Sequence, residues 1–275
     1  MEIGIQDASV ELGTRMVLEE VTLCFRKRAI TGVLGPNGAG KSTLLRALAG
    51  IVPLASGSVR LGKRDLIAMS RKEVARCVAY LSQNIEIPFP FPAGEVVMMG
   101  RYAHLSRFRS ETEADHQAVA RALLAVDAES LRMRPVDELS GGERQRILLA
   151  RTLATEAPVL LLDEPIANLD IRHCLELLEI LRDQATKGRT VLVAIHDLNF
   201  AHRFCERFVL LHGGRVLAQG TADEVLVPRL LREAFEVEAN QVQDPAGRGF
   251  FFFTRKNCDE RQRAFAGPLS PPRYR

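Results

Sequence analysis

The pattern of apolar residues changes from alternating to continuous early in the chain. Over residues 3–25 apolar and polar positions alternate in short stretches that break at Gly13, which is typical of antiparallel strands. A compact apolar strand is predicted at residues 30–34, and continuous apolar runs follow at residues 159–162 and 191–194. Such runs are typical of parallel strands covered on both faces. The chain is therefore predicted to be an α/β protein with a mainly parallel core sheet and an N-terminal antiparallel β subdomain.

Helical periodicity separates these strands. It predicts a helix over residues 42–49 that ends at Gly50, and another over about residues 171–185. Proline alternates with phenylalanine over residues 88–92, which excludes a helix or a central strand there and indicates a boundary. Helical patterns continue beyond this boundary. We therefore expect an α-helical subdomain over about residues 88–153, inserted into the core.

The remaining segments complete one domain and leave a polar tail. Short strands are predicted over residues 58–61, 78–82, 208–211 and 216–218, the last two joined by a two-glycine turn. Residues 255–275 are polar, basic and proline-containing, which indicates a disordered tail. Residues 1–254 are expected to form a single domain.

Composition narrows the class of protein. Lys and Arg number 37 and Asp and Glu 34, and the resulting net charge of +3 is too small to indicate a nucleic-acid partner. Five scattered cysteines indicate reduced thiols in a cytosolic protein rather than disulfides or a zinc site. No apolar run has the length of a membrane span, and no secretory signal pattern opens the chain. We expect a cytoplasmic protein that reaches a membrane through a partner.

A glycine-rich segment joins the strand predicted at residues 30–34 to the helix that follows. Its members are Gly35, Pro36, Asn37, Gly38, Ala39, Gly40, Lys41 and Ser42, with Thr43 next in the helix. Glycines at this spacing let backbone N–H groups point at phosphate oxygens at a helix N-terminus. Lys41 can reach the terminal phosphates, and the Ser42 hydroxyl can coordinate Mg²⁺. The segment is therefore predicted to be a complete nucleotide-binding P-loop.

Two adjacent carboxylates follow the apolar run at residues 159–162. Asp163 and Glu164 would lie at the carboxyl end of a parallel strand, where ligands bind in such sheets. Asp163 suits the surroundings of Mg²⁺, and Glu164 suits the polarisation of an attacking water. Gln83 and His196 end two other predicted strands. Each alone is more often a satisfied polar residue, but both are expected at the same edge.

A second glycine-rich turn is incomplete. Ser140, Gly141 and Gly142 open another predicted helix, where backbone N–H groups and the Ser140 hydroxyl can bind an anion or cap the helix. No lysine completes this turn, and the P-loop already has a lysine and a helix of its own. The turn therefore suggests one half of a pocket that belongs to another chain.

The order of these segments resembles that of one family. The run Leu139, Ser140, Gly141, Gly142, Glu143, Arg144 and Gln145 resembles the signature of ABC ATPases, and its place between the P-loop and the Asp163–Glu164 pair is similar too. The resemblance extends over residues 1 to about 254. It implies ATP and Mg²⁺ as ligands, with Glu164 as the catalytic base and Lys41 and His196 at the γ-phosphate. It implies that Gln83 is the Q-loop glutamine beside Mg²⁺.

The resemblance also has implications for assembly. In this family two copies pack head to tail, so that the signature of each closes over ATP held by the other, and Asp170 belongs to the D-loop. Leu12 stands where family members often have an aromatic ring that stacks on adenine, and leucine offers no π face. A homodimer beneath two membrane permease subunits is implied, with a substrate-binding protein as an indirect partner.

One segment narrows the transport system. Residues 91–104 resemble the stretch after the Q-loop in importer ATPases for ferric siderophores, haem and cobalamin, and residues 230–237 are similar to that group as well. Manganese and zinc importer ATPases are the nearest alternative, and a separate-subunit exporter is a weaker one. The expected function is ATP hydrolysis that powers uptake of an iron complex or cobalamin, by a peripheral protein on the cytoplasmic face of the membrane.

Overall fold

Residues 1–83, 85, 87–105, 110–243 and 249–255 are described by the computed structural model of the protein. In chain order the strands are β1 (Ile3–Leu12), β2 (Arg15–Phe25), β3 (Ile30–Leu34), β4 (Ser56–Leu61), β5 (Arg64–Asp65), β6 (Val78–Leu81), β7 (Val159–Asp163), β8 (Thr190–Ala194), β9 (Arg207–His212), β10 (Arg215–Gly220), β11 (Val237–Gln243) and β12 (Gly249–Arg255). The α-helices are α1 (Lys41–Leu48), α2 (Arg71–Cys77), α3 (Ala93–Met98), α4 (Glu113–Ala125), α5 (Gly141–Ala154), α6 (Ile171–Thr186), α7 (Leu198–Phe204), α8 (Ala222–Val225) and α9 (Pro228–Phe235).

The central sheet has the strand order β10-β9-β3-β8-β7-β6. Its neighbours from β9 to β6 are parallel, and β10 pairs antiparallel with β9. β3, β7 and β8 are buried at every residue, as their continuous apolar sequences predict. Successive side chains of β7 point to opposite faces, so Leu160 and Leu162 enter one hydrophobic cluster and Val159 and Leu161 another. The core therefore lies on both sides of this sheet.

The predicted N-terminal antiparallel unit is a four-stranded sheet in the order β2-β1-β4-β5. β1 and β2 form a hairpin whose turn contains Gly13, at a φ of 65°. Inward side chains of this sheet, such as Ile5 and Val21, share a hydrophobic cluster with Leu44 and Leu48 of α1. The antiparallel sheet therefore lies against the helix that follows the P-loop.

Helices α3, α4 and α5 pack on one another and form the predicted helical insert. Val96, Val119 and Ile147, one from each helix, are buried in the same hydrophobic cluster as Leu160 and Leu162 of β7. Arg101, in a 3₁₀ turn after α3, is buried and pairs with the buried Asp115 of α4 at 2.9 Å. Arg101 also pairs with Glu156 at 2.9 Å, so this buried arginine ties α4 to the segment after α5. The α/β fold class with its antiparallel and helical parts is confirmed.

Several element ends differ from the sequence-based expectation. β4 begins two residues earlier, at Ser56, and β6 ends at Leu81, so that Gln83 follows the strand rather than ending it. The apolar periodicity does not reveal α2, α7, α8 and α9, which have four to eight residues. Periodicity carries little information over two helical turns or fewer.

The sequence pattern also does not predict the C-terminal hairpin of β11 and β12. The residues 250–253 are all phenylalanine, and this run hides the alternation that would separate a buried face from an exposed one. Phe251 is the buried member of the run. The Asn199 side chain of α7 accepts from its N–H at 2.7 Å and donates to its carbonyl oxygen at 3.3 Å. These bonds fasten the hairpin to α7.

The described part of the chain ends at Arg255, the last residue of β12 and the first residue of the predicted tail. Residues 256–275, which include Cys258, lie outside the described residues. Cys24, Cys77, Cys174 and Cys205 are free thiols. Among the residues that the structure describes, no helix has both the length and the apolar character needed to cross a membrane.

Candidate nucleotide-binding and catalytic site

The carboxyl ends of β3, β8, β7 and β6 lie side by side at one edge of the central sheet. The P-loop follows β3, and Asp163 and Glu164 stand at the end of β7. His196 and Gln83 each come two residues after their strands, β8 and β6. Because parallel strands present their carboxyl ends together, this edge is where ligands bind in such sheets. The structure therefore gathers in one place residues that are far apart in sequence.

The P-loop depends on two of its glycines. Gly35 and Gly40 have φ angles of 147° and 102°, which residues with a side chain rarely adopt. A Cβ on Gly35 would lie 2.4 Å from the carbonyl oxygen of Leu211, and one on Gly40 would lie 2.6 Å from a methyl carbon of Leu18. Of the other members, Asn37 and Gly38 are exposed, Pro36 is half-buried, and Ala39 and Thr43 are buried. The loop therefore presents its tip to solvent while its two ends are held against the core.

Lys41 is the first residue of α1 and is buried. Its ammonium group donates to the carbonyl oxygens of Gly35 at 2.7 Å and Pro36 at 3.0 Å. Burial lowers the pKa of Lys41, while the nearby carboxylates of Glu164 and Asp163 act in the opposite direction. The lysine is thus held inside the loop, on the side where the carboxylates stand.

Ser42 and Asp163 form the second contact across this edge. The Ser42 hydroxyl donates to Oδ1 of Asp163 at 2.9 Å, and Asp163 is almost completely buried. A hydroxyl and a carboxylate at this spacing are oxygen donors of the kind that Mg²⁺ prefers. The donor chemistry of the pair therefore fits Mg²⁺.

Glu164 lies between Gln83 and His196. The Gln83 side-chain amide donates to Oε2 of Glu164 at 2.6 Å, and Nε2 of His196 contacts Oε1. The backbone of Glu164 has a φ of 51°, and its N–H donates to the carbonyl oxygen of Ala194 in β8. The strand end and both neighbours thus hold the carboxylate at the mouth of the site, which is the arrangement that a general base requires.

Tyr80 and Arg46 belong to this site, although the sequence does not single them out. The Tyr80 hydroxyl donates to Oδ2 of Asp163 at 3.0 Å, and Nε of Arg46 donates to the Tyr80 oxygen at 3.2 Å. Tyr80 is in β6 next to the Asp163 strand. The sequence contains one indication of a role for Tyr80, which is its place in the strand before Gln83. A single tyrosine in an apolar strand, however, is interpreted as a core residue.

The incomplete turn predicted at Ser140 is the N-terminus of α5. The Ser140 hydroxyl accepts from the N–H of Glu143 at 3.3 Å, and the Glu143 carboxylate accepts from the N–H of Ser140 at 2.9 Å. These bonds hold the pKa of Glu143 below its usual value. Ser140 and Gly141 are exposed, and a Cβ on Gly141 would meet nothing within 4 Å. The turn is therefore a capped helix end with an open approach.

No hydrogen bond or ion pair between described residues joins Ser140, Gly141 or Gly142 to the P-loop. Asp170 likewise acts within its own helix. It caps α6, accepting from the backbone and the ring of His173 at 2.9 and 2.8 Å, and these bonds lower its pKa. The ring of His173 packs against Gly142, where a Cβ would lie 3.0 Å from it. Asp170 thus connects with the signature turn of its own chain.

Leu12 ends β1 at the β1–β2 turn, opposite Arg15. Its side chain is 42% exposed, and neighbouring Met16 is exposed as well. Among the described residues, Leu12 makes no hydrogen bond to Lys41, Asp163 or Glu164. It is an accessible apolar surface, not a packed core residue.

Two residues of α5 connect this helix to the sheet edge that carries Glu164. Arg144 donates to the carbonyl oxygen of Ile85 at 3.1 Å, two residues after Gln83. Gln145 donates to the carbonyl oxygen of Pro165 at 2.7 Å, directly after Glu164. The helix that carries the exposed turn is therefore joined to the segments on either side of Glu164.

Residues 18–167 match the family model described as ABC transporter. The chain belongs to the ABC transporter family. It is 45% identical to the hemin import ATP-binding protein of Pseudomonas aeruginosa, over 86% of this chain and 93% of that one. It is 37% identical to the iron(3+)-hydroxamate import ATP-binding protein of Bacillus subtilis, over 88% and 91% of the two chains.

A third relative is longer. The chain is 42% identical to the cobalamin import ATP-binding protein of Halobacterium salinarum over 90% of its own length, but it spans only 62% of that protein. Among solved structures, an inward-facing transporter described as of the metal-chelate type aligns with a TM-score of 0.80 at 27% identity, over 92% of this chain and 96% of that chain. The dimeric structure of MJ0796, a bacterial ABC transporter cassette, aligns with a TM-score of 0.70 at 25% identity, over 80% and 98%.

Proposed function

We propose that this protein is the ATP-hydrolysing subunit of an ABC importer that powers uptake of a ferric siderophore, haem or cobalamin across the cytoplasmic membrane. The observation that carries the hydrolytic part is the position of Glu164, held by Gln83 and His196 at the sheet edge that also carries the P-loop. The cargo class is supported by the names of the hydroxamate, hemin and cobalamin relatives. Residues 1–254 act as one ATPase domain, with the helical subdomain at about residues 88–153.

The P-loop holds the phosphates of ATP. Its backbone N–H groups, including those at the N-terminus of α1, donate hydrogen bonds to the negatively charged phosphate oxygens. The ammonium group of Lys41, which now donates to Gly35 and Pro36, exchanges these carbonyl oxygens for phosphate oxygens. The exchange needs little movement, because the lysine is already buried inside the loop. Leu12 packs on the adenine without the π face of an aromatic ring.

Hydrolysis uses the three residues at the mouth of the site. The carboxylate of Glu164 accepts the proton of the attacking water, His196 donates a hydrogen bond to the γ-phosphate, and Gln83 orients the carboxylate. Ser42, Asp163 and Gln83 would hold Mg²⁺, and the bound ion would supply positive charge against the negative charge that develops on the phosphates.

The functional unit is a head-to-tail homodimer. Ser140 and Gly141 are exposed and Gly142 is half-buried, and none of the three is hydrogen-bonded to the described P-loop of its own chain. The turn presents backbone N–H groups at a helix end. They complete the ATP site of the second copy, with Asp170 beside them. The likeness to a dimeric cassette supports this assembly.

Two permease subunits and a substrate-binding protein complete the transporter, and the ATPase is peripheral on the cytoplasmic face of the membrane. The bonds from Arg144 and Gln145 to the segments around Glu164 provide a physical route by which dimer closure reaches the helical insert. ATP favours the closed dimer because it contacts both copies there. No nucleic acid takes part.

A mixing experiment tests the shared site. Ser140→Arg and Glu164→Gln proteins are each expected to bind ATP but to lack hydrolysis. In a mixed dimer, one site combines the intact P-loop and Glu164 of the first chain with the intact signature of the second. Mixing the two inactive proteins should therefore restore part of the ATPase activity.

The outcome discriminates between the two assignments of the signature turn. If Ser140 served the ATP site of its own chain, both chains would carry a damaged site and the mixture would stay inactive. Ser70→Arg is the matched control, because Ser70 and Glu73 form the same capping bonds at the start of α2. That variant should keep its activity, which separates loss of a helix cap from loss of the dimer site.

Cargo is tested in the native cell. Deletion of the gene should impair growth when a ferric siderophore or haem is the iron source, or when cobalamin must be taken up. Rescue by excess manganese or zinc would instead favour the alternative importer class.

A further inference from the structure

Both oxygens of the Asp163 carboxylate have a partner, and the two partners come from different elements. Oδ1 accepts from Ser42 at the start of α1, and Oδ2 accepts from Tyr80 in β6 at 3.0 Å. β6 and β7 are adjacent and parallel, with Tyr80 in register with Leu161. The tyrosine therefore reaches the carboxylate from the neighbouring strand.

The Tyr80 hydroxyl is itself held by a donor. Nε of Arg46 lies 3.2 Å from the phenol oxygen, so that the hydroxyl accepts from Arg46 and directs its own proton to Asp163. Ser42 and Arg46 are four residues apart on α1 and thus on one side of the helix. Helix α1 reaches Asp163 twice, once directly and once through Tyr80.

The Tyr80 hydroxyl has a single proton, which it donates to Oδ2 of Asp163. It therefore engages only one carboxylate oxygen and leaves the other oxygen to face Ser42. The carboxylate is thereby prevented from rotating about its last bond. Groups that hydrogen-bond a metal-ligating carboxylate orient it in this way.

We infer that Tyr80 is a positioning residue for Mg²⁺: its hydroxyl fixes the Asp163 carboxylate in the orientation that presents Oδ1 beside Ser42. The inference rests on the proposed function, in which Ser42 and Asp163 hold Mg²⁺. Tyr80 touches neither ATP nor the ion. Its contribution is to the affinity of the site for Mg²⁺, not to the chemical step.

The test compares nucleotide binding with and without the ion. In the full-length protein, the Kd for ATP is measured with Mg²⁺ and with EDTA, using the non-hydrolysable analogue AMP-PNP, for wild type and Tyr80→Phe. Phenylalanine keeps the ring and removes only the hydroxyl. Tyr102→Phe is the matched control, because Tyr102 is exposed.

Wild type should bind AMP-PNP more tightly with Mg²⁺ than with EDTA. Tyr80→Phe should lose roughly tenfold of this Mg²⁺-dependent gain, as partners of metal ligands typically do, and its Kd in EDTA should be unchanged. In the ATPase assay, its half-saturating Mg²⁺ concentration should rise while kcat at saturating Mg²⁺ is kept.

Two results would overturn the inference. A Mg²⁺-dependent gain in Tyr80→Phe equal to that of wild type and Tyr102→Phe would leave the hydroxyl without a role. An equal loss with Mg²⁺ and with EDTA would assign Tyr80 to packing alone. Absence of any Mg²⁺ effect in wild type would instead refute the assignment of Ser42 and Asp163 in the proposed function, which is a distinguishable failure.

Discussion

The P-loop and the turn at Ser140 are both glycine-rich helix starts, but they are supported differently. The P-loop lies between β3 and α1, its lysine is buried, and its serine bonds to Asp163 on a neighbouring strand. The turn at Ser140 is capped by Glu143 of its own helix and is open to solvent. One start is tied to the core sheet, whereas the other is satisfied locally.

This difference indicates what each site needs in order to function. A loop fixed by the sheet is pre-organised and can bind nucleotide within one chain. A capped, exposed helix end has no structural need for a ligand, since its own side chains already satisfy two backbone groups. Its remaining N–H groups become useful only when another surface brings phosphate to them. In the proposed homodimer, the second copy of the chain would supply that surface.

The largest expected effect comes from replacing Glu164, the proposed base, which lies at the same sheet edge as the P-loop. Glu164→Gln should lower kcat by roughly 10³-fold, because the amide cannot accept the proton of the attacking water. ATP binding should persist, since the P-loop is unchanged, and a nucleotide-trapped dimer should accumulate in size-exclusion chromatography. Glu176→Gln, at a half-buried position on α6 that pairs with the exposed Arg172, is the control and should behave as wild type. Normal turnover in Glu164→Gln would exclude Glu164 as the base.

A smaller effect, on the free energy of unfolding, should distinguish the helical insert from the P-loop region. Asp115→Asn breaks the buried pair with Arg101, which keeps its pair with Glu156, and should cost about 2 kcal/mol in the free energy of unfolding. The loss falls on the helical insert that carries Ser140, so the P-loop should still bind nucleotide at temperatures where the variant remains folded. Urea unfolding at neutral pH measures the difference. Asp183→Asn, at an exposed pair with Lys187, should change stability by about 0.5 kcal/mol or less.

The pKa of Asp115 predicts how this difference in stability changes with pH. Bonds from Thr112 and the pairing with Arg101 lower the pKa of Asp115 from 3.8 to about 2. The stabilisation is therefore present above about pH 4 and is lost as the pH falls to about 2. The stability gap between wild type and Asp115→Asn should shrink over this interval. A gap that stays constant would mean that the pair contributes through shape and not through charge.

The smallest expected effect concerns the exposed Leu12. Leu12→Tyr should add a ring that stacks on adenine, worth about 1 kcal/mol, or roughly fivefold in the Kd for ATP. Fluorescence titration with ATP and GTP measures the gain and its base selectivity. Leu124→Tyr, at an exposed leucine on α4, is the matched control. An unchanged Kd in Leu12→Tyr would place the adenine elsewhere.

The fold was predictable from the sequence wherever apolar residues formed a regular pattern on one face or on both faces of an element. β3, β7 and β8 are mostly apolar and are buried throughout, and the break at Gly13 is a hairpin turn. The C-terminal hairpin was not predictable, because four consecutive phenylalanines have no period. Phe251 is the buried one, and Asn199 of α7 bonds to its backbone, a contact between residues 52 positions apart.

The candidate site divides in the same way. Lys41, Ser42, Asp163 and Glu164 carry their chemistry in motifs of contiguous residues, so the sequence could name them. Their roles in catalysis stay predictions until they are tested. Tyr80 could not be named, since its relevance depends on the strand next to it and not on any residue beside it in sequence.

By itself, the sequence determined which segments are strands and helices long enough to show a period, and which glycine-rich turns lie at helix starts. Those properties depend on residues close together in the chain. Only the tertiary structure decided that Gln83, Glu164 and His196 meet, and that Ser140 does not meet the P-loop. Parallel pairing of β6, β7 and β8 sets the first result, because it aligns strand ends that are some 80 and 30 residues apart in sequence. The second follows from the packing of α5 on α3 and α4 in the helical insert, where Ser140 stays exposed.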